Sequence, residues 1–479
     1  MSVIEPNRSV TPPNLPMAEP NVAAEAVRAF EARLRGDLIR RSDPEYDEAR
    51  ALYNAMIDKR PWLIARCVDV ADVIATVAFA RDHGLPLAVR GGGHSGGGLG
   101  SVDDGVLLDL AGLNGVRIDA EARTARVEGG ATWGKVDHAS HAFGLAVPSG
   151  IHSTTGVGGL TLGGGLGHLT RRHGLTIDNL LEVDVVLADG RHVTANAHEH
   201  QDLFWAVRGG GGNFGVVTSF LFRLQPVHTV VGGPTFWALE DAADVMRWYR
   251  DFIREAPRDL NGFFAFLTVP PGPPFPEHLH GRKVCGVVWC YAGPPTRAAE
   301  VFAPVAAFGT PLLHGVHDMP FPTLQSAGDL RNPAGQQSYW RADFFDELSD
   351  AAVAAHVEHG TALPTARSTM HLYPIDGAAH DVPNDATPWS YRSANWAQVI
   401  IGIDPDPANA GLIEAWAKAY HDALHPYSAG GAYVNMMMDE GQERVRASYR
   451  DNYPRLARVK ATYDPQNLFR VNQNIAPAL

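Results

Sequence analysis

One histidine set in a loop that is otherwise almost all backbone opens the chemistry of this chain. The run Arg90-Gly91-Gly92-Gly93-His94-Ser95-Gly96-Gly97-Gly98 takes side chains out of a turn, so amide N–H groups can approach a ligand closely and converge on phosphate oxygens. A phosphorylated ligand is expected here, with the His94 imidazole in its midst. The flanks narrow the choice. Leu85-Pro86-Leu87-Ala88-Val89 reads as a short buried strand, and Gly105-Val106-Leu107-Leu108-Asp109-Leu110 reads as another. A dinucleotide-binding Rossmann turn must instead open into a helix whose N-terminus receives the pyrophosphate. The spacing Gly91-x-Gly93-x-x-Gly96 matches that fingerprint, but the strand-loop-strand setting does not.

Two more glycine-rich stretches follow. One is Pro148-Ser149-Gly150-Ile151-His152-Ser153-Thr154-Thr155-Gly156-Val157-Gly158-Gly159, running on to Gly163-Gly164-Gly165-Leu166-Gly167-His168; the other is Arg208-Gly209-Gly210-Gly211-Gly212-Asn213-Phe214-Gly215-Val216-Val217. Three separated backbone cradles suit a long, bent ligand held at several points. In these residues, and in a last segment with Asp464-Pro465-Gln466-Asn467-Leu468-Phe469 and Asn472-Gln473-Asn474-Ile475, the chain resembles the FAD-linked oxidases of the vanillyl-alcohol oxidase (PCMH) superfamily, in the berberine-bridge-enzyme-like branch. The resemblance implies FAD attached covalently through His94 to the 8α-methyl of the isoalloxazine. It also places FAD against Arg90, Gly91, Gly92, Gly93, Ser95, Thr154, Thr155, Gly156, Gly159, Gly164, Gly165, His168, Gly215, Val217, Asn472 and Asn474.

An oxidase is implied as well, passing a hydride from an alcohol, amine-like or ring-forming carbon to the flavin and then electrons to oxygen, with hydrogen peroxide as product. A flavin-binding protein without turnover, or a dehydrogenase using another acceptor, are the alternatives. Two departures from the family pattern matter. Many relatives carry a second anchor, a cysteine in a Gly-x-Cys segment, where this chain has His152; single attachment is expected, with His152 a polar lining residue, the alternatives being an acid, a base or an unusual second attachment. Relatives often place a basic Tyr in a late Asn-Tyr-x-Asp strand, where this chain has Asn435-Met436-Met437-Met438-Asp439. Period-two alternation in such a strand puts Met436 and Met438 on the Tyr face and turns Tyr433 away. The candidate bases are then His152, His371, Tyr373 and Tyr391. Thr369, His371 and Tyr373 share one strand face, which a solvent-facing or a site-facing surface fits equally. The methionines suggest a soft wall for a substrate with an aromatic or apolar portion.

Composition bounds the molecule that must position these groups. At 479 residues, 45% of them apolar, the chain exceeds what one hydrophobic core serves, so two domains are expected. A formal charge of −13 without a basic cluster opposes nucleic-acid or anionic-membrane partners. No segment has the character of a signal peptide or a membrane span, which points to a cytoplasmic protein. The three cysteines, Cys67, Cys285 and Cys290, are too few for a disulfide framework. Twenty-one histidines are many, yet no HExxH or Cys/His cluster gathers them, so no metal is expected.

A mobile Pro-rich arm is expected over residues 1–20, then helices over 21–36 and 69–83 and short strands at 107–110, 124–128 and 180–187. Their irregular alternation argues for α+β. The expected division is a two-part PCMH-type FAD-binding domain over 21–228, completed by a returning segment over 441–479, and a substrate domain over 229–440. Strands near 263–268, 283–291 and 398–403, with helices over 239–255, 296–308 and 408–424, make that second part an antiparallel sheet covered by helices on one face.

Overall fold

The computed structural model describes residues 20–479, so the expected arm lies outside the described residues apart from Pro20. Asp69 caps the helix Val70–Asp82 by accepting from the Asp72 N–H at 3.1 Å, and Gly84, at φ 64°, releases the chain after it. The helix covers a four-stranded sheet ordered Asp37–Arg40, Leu63–Arg66, Val106–Asp109, Leu87–Arg90. The last three strands are parallel and almost wholly buried, which is why they read as unbroken apolar runs. Parallel neighbours need a crossover, usually a helix. Here the crossover from Arg90 to Val106 is the first glycine loop itself, so bare backbone rather than a helix faces outward from the strand ends.

A five-stranded antiparallel sheet follows, ordered Val116–Asp119, Thr124–Glu128, Val216–Arg223, Leu180–Val186, His192–Asn196. Its buried side chains, among them Val127, Val183 and Phe220, pack on Trp133, Leu203 and Leu456 from the helices Trp133–His141, Gln201–Val207 and Tyr453–Tyr463. The last of these helices comes from the C-terminal segment.

Past Pro226 the chain enters a larger sheet, ordered Leu313–His314, Thr229–Ala238, Lys283–Tyr291, Leu260–Thr268, Thr369–Pro374, Trp396–Asp404, Gln337–Phe345, with His317–Pro320 also paired to Thr229–Ala238. Its ladders are antiparallel. Strand parity sorts the two faces. Phe264, Phe266, Met370, Leu372 and Ile400 go under the helices Ala242–Glu255, Ala298–Ala307, Asp350–Gly360 and Ala410–Leu424. Phe263, Ala265, Tyr373, Val399 and Ile401 point the other way. The architecture is α+β, with an antiparallel sheet helix-covered on one face.

Two local expectations give way. The helix over 21–36 shortens to Ala24–Glu31, because the N–H groups of Arg35 and Gly36 turn to the Asp72 carboxylate at 2.7 and 3.0 Å and the chain joins the sheet at Asp37. The late strand around 433–438 is not extended. Val434–Met436 winds into a 3-10 turn, closed by the Met436 N–H on the Tyr433 carbonyl at 2.8 Å, so two-fold alternation does not apply there.

Candidate active site

Between the glycine loops and the sheet face turned away from the helices lies a cavity of ≈ 340 Å³. Arg90, Gly91, Gly92, Gly93, His94 and Ser95 form one wall; His152, Thr155, Gly156 and Gly159 continue it, and Gly212, Gly215 and Val217 close the base. The first two loops meet backbone to backbone. A Cβ on Gly92 would lie 2.5 Å from the Gly156 nitrogen, and one on Gly156 would lie 2.3 Å from the Gly92 nitrogen, so neither position admits a side chain. Arg90 commits its guanidinium to Asp109, Nη2 to Oδ2 at 2.7 Å, and braces the start of the loop.

His94 stacks on Tyr53, with ring centroids 4.0 Å apart and planes 21° from parallel. Burial, with His152 as the next cause, lowers its pKa to about 4, so it is neutral at pH 7 and keeps a lone pair. His152 faces Asp329, Nδ1 to Oδ1 at 3.6 Å, and the same carboxylate accepts from the Ser153 N–H at 3.1 Å. Burial works to raise the Asp329 pKa, but His152 and Ser153 hold it below its ordinary value. An imidazole and a carboxylate therefore stand together beside the flavin-anchoring candidate.

The opposite wall is built by the large sheet, through Trp340, His371, Tyr373, Val399, Ile401 and Ile403. Residues 399–403 form an unbroken apolar run, Val399-Ile400-Ile401-Gly402-Ile403, so the sequence marks a buried strand without saying which side chains face the cavity, and nothing local marks Tyr53 or Trp340. Thr369 instead donates to the Phe266 carbonyl and stays out. His371 Nδ1 and the Tyr373 hydroxyl are 2.8 Å apart. Burial lowers the His371 pKa to about 3 and raises that of Tyr373, so both partners of this bond are uncharged at pH 7.

The turn at Val434–Met436 corrects the placing of Tyr433, which lines the cavity after all, together with Asn435 and Met436. Its hydroxyl oxygen accepts from the Gly165 N–H at 2.9 Å and from Asn435 Nδ2 at 2.8 Å. Burial pushes its pKa up to about 12, while these two bonds pull the other way. Tyr391 is corrected in the opposite sense. It stacks on Phe344 at 4.5 Å, donates to the Ala447 carbonyl at 2.9 Å, and lies outside the cavity. Met438 packs against Gly96 rather than lining the cavity, so the expected methionine wall is mostly Trp340, Val399, Ile401 and Ile403.

Five expected cofactor contacts also stand back from the lining. Thr154 is exposed, Gly164 packs on Trp389, Gly165 supports Tyr433, His168 is buried beside Phe263, and Asn474 follows the lining residues Asn472 and Gln473. The C-terminal segment is tied to the third glycine loop: Asn472 Nδ2 donates to the Gly212 carbonyl at 3.2 Å, and Asn213 Nδ2 to the Gln473 carbonyl at 3.1 Å. Among the described residues the Oδ1 atoms of Asn472 and Asn474 are buried with no hydrogen-bond partner. Of the two, Asn472 lines the cavity, where its oxygen is open to a donor from water or a ligand. Side-chain-free loops for a pyrophosphate, apolar walls at Val89, Leu110 and Val217, and an unmet acceptor at Asn472 for a ring or ribose donor fit FAD.

Known proteins agree with this geometry. The family described as FAD binding domain matches residues 61–196, and the family described as berberine and berberine like matches residues 432–476. The FAD-linked oxidoreductase YgaK of Bacillus subtilis (strain 168) is 30% identical over 457 residues, covering 93% of this chain and 98% of that protein. The (R)-6-hydroxynicotine oxidase of Paenarthrobacter nicotinovorans is 28% identical, with 93% and 97% covered. The crystal structure of 6-hydroxy-D-nicotine oxidase from Arthrobacter nicotinovorans matches with a TM-score of 0.82 at 26% identity, over 93% of this chain and 98% of that one. With glycine cradles, cavity and near full-length similarity in agreement, the chain belongs to the berberine-bridge-enzyme-like FAD-linked oxidoreductases of the PCMH superfamily.

Proposed function

We propose that this protein is an oxidase that carries FAD on a single covalent bond to His94. It takes a hydride from an alcohol- or amine-bearing carbon of a small substrate with an aromatic or apolar portion, and passes the electrons to oxygen to give hydrogen peroxide. The observation that carries this reading is a half-buried His94, stacked on Tyr53, opening into the same cavity as a set of proton-handling side chains. None of the three cysteines lines that cavity, which supports a single link.

Bound FAD supplies the hydride acceptor; the chain supplies position and proton transfer. Tyr433 is the proposed proton acceptor once its own proton has left, a loss that the two N–H donors aimed at its oxygen assist against the burial that holds its pKa at about 12. The His371–Tyr373 pair orients the substrate's polar group, and His152 is a polar wall residue held by Asp329. Trp340, Ile401 and Ile403 receive the apolar portion. A relative named for oxidation of a hydroxynicotine fits such a substrate. Among the described residues no helix is long and apolar enough to cross a membrane, and we assign the enzyme to the cytoplasm.

Acid-precipitated protein should stay yellow and show flavin fluorescence at the chain's mass on a denaturing gel. A proteolytic digest should put FAD on the His94 peptide and leave the His152 peptide unmodified, and His94→Ala should release its flavin. A colourless wild-type pellet would overturn the attachment. Aromatic alcohols and amines tested without air should bleach the flavin, and readmitting air should yield peroxide; silence across that panel would favour a binding protein without turnover.

A further inference from the structure

Away from the cavity, the end of the helix Ala410–Leu424 brings His421 and His425 onto one side, four residues apart, with ring centroids at 5.1 Å. Beneath them Asp343 rises from the strand Gln337–Phe345 with a fully buried carboxylate. Its Oδ1 accepts from Arg444 Nη2 and lies 3.2 Å from His425 Nδ1, whereas its Oδ2 lies 3.2 Å from His421 Nε2 and 3.1 Å from the same His425 Nδ1. We infer that Asp343, His421 and His425 form a binding site for a divalent transition-metal ion of the zinc class.

Donor chemistry comes first. Two imidazole nitrogens and one carboxylate oxygen are a set that zinc accepts, with bonds of about 2.0–2.2 Å and a fourth position left to water. Two such ligands on a tetrahedral ion stand roughly 3.3 Å apart, close to the two nitrogen-to-Oδ2 separations seen here. All three ligand atoms lie within 4.8 Å of one another. His425 is the half-exposed member of the set, with 46% of its side chain exposed.

The surroundings point the same way. His421 Nε2 is buried and near Oδ2, yet it is not directed at it as a donor and has no hydrogen-bond partner among the described residues. Its Nδ1 faces the Asp422 carboxylate at 3.4 Å. An Nδ1 donor to that carboxylate would leave the Nε2 lone pair free, the arrangement by which an outer carboxylate orients a ligating imidazole. Arg444 fixes the carboxylate through its other oxygen. The guanidinium also weakens attraction for a cation, so a cysteine-free site here is expected to bind more loosely than a structural zinc finger. Ser428 Oγ, 3.3 Å from His425 Nδ1, lies on the half-exposed side where water completes the shell. The motif was not legible in the chain because its aspartate comes from a distant strand.

The test uses the flavin-loaded protein, freed of metal with chelator and titrated with Zn²⁺, with Mg²⁺ as control. One zinc per chain should bind and raise the melting temperature, while Mg²⁺ does neither. His425→Ala and His421→Ala should each weaken zinc by about tenfold or more, and anaerobic flavin reduction of the variants should match wild type because neither side chain lines the cavity. Co²⁺ titration of the wild type gives a reading that does not depend on how the variants fold, through visible bands of a low-symmetry nitrogen–oxygen site. Absence of stoichiometric zinc and of those bands, or equal zinc binding by a folded His421→Ala/His425→Ala double variant, would overturn the assignment and leave an Asp343 ion pair.

Discussion

Lys460 is the point at which the C-terminal segment is fastened to the third glycine loop. Its ammonium is fully buried and donates to Asp464 Oδ2 at 2.6 Å, to the Asn213 carbonyl at 2.6 Å and to the Phe469 carbonyl at 2.8 Å. Lys460→Met keeps the stem and removes the charge. Asp464 then still accepts from the Leu468 and Phe469 N–H groups at 2.8 and 2.9 Å and the Phe469 carbonyl keeps the Asn472 Nδ2 donor at 3.0 Å, so only the Asn213 carbonyl loses its donor. Breaking a buried pair from one side costs about 3–5 kcal/mol and each orphaned buried acceptor about 1–3 kcal/mol. With the retained amides, the loss should be about 4–6 kcal/mol, a large share of the 5–15 kcal/mol typical of a folded protein. Asn472 and Gln473 line the cavity, so loosening this segment should also disturb the flavin environment. Urea denaturation followed by tryptophan and by flavin fluorescence, with hydrogen exchange of residues 452–476, measures both effects. Adding Asp464→Asn should return part of the lost stability, because the unpaired charge goes while the amide oxygen still accepts from one of the Leu468 and Phe469 N–H groups. If Lys460→Met unfolds within about 0.5 kcal/mol of wild type, the surface-substitution range, with unchanged protection in 452–476, the reasoning fails.

Tyr433→Phe should slow anaerobic flavin reduction by about a hundredfold or more while the protein stays yellow, as general-base losses usually do. Tyr391→Phe should leave that rate nearly unchanged, since its hydroxyl serves the Ala447 carbonyl; the reverse ranking would refute the assignment. Asp137, buried with neither oxygen partnered among the described residues, has a pKa raised from 3.8 to about 8 by burial and then by Asp329. A raised folded-state value means its contribution is complete below pH 4 and is lost as pH climbs to about 8, by up to about 1.4 kcal/mol per pH unit and about 6 kcal/mol in all. Asp137→Asn should therefore match wild type near pH 4 and exceed it increasingly toward pH 8; stability curves that run parallel over that range would count against an uncompensated carboxyl.

The loop Arg90 to Gly98 announces its role in the sequence, because glycine runs between two apolar strands leave few conformational alternatives, and its histidine stands alone among them. Helix caps such as Asp69 and the apolar runs at 106–109 are legible for the same reason, as their causes lie within a few residues. The parity that brings His371 and Tyr373 to one face is local too, but which face meets the cavity depends on where the helices settle. Tyr433 shows the limit. Its direction is set by the Gly165 N–H, 268 residues away in the chain, and by a 3-10 turn that two-fold alternation does not describe. The cluster of Asp343, His421 and His425 likewise exists only where a strand and a helix end meet. Backbone freedom and capping are properties of neighbours in sequence, whereas register, burial and the pairing of charges are decided by partners that only the tertiary packing supplies.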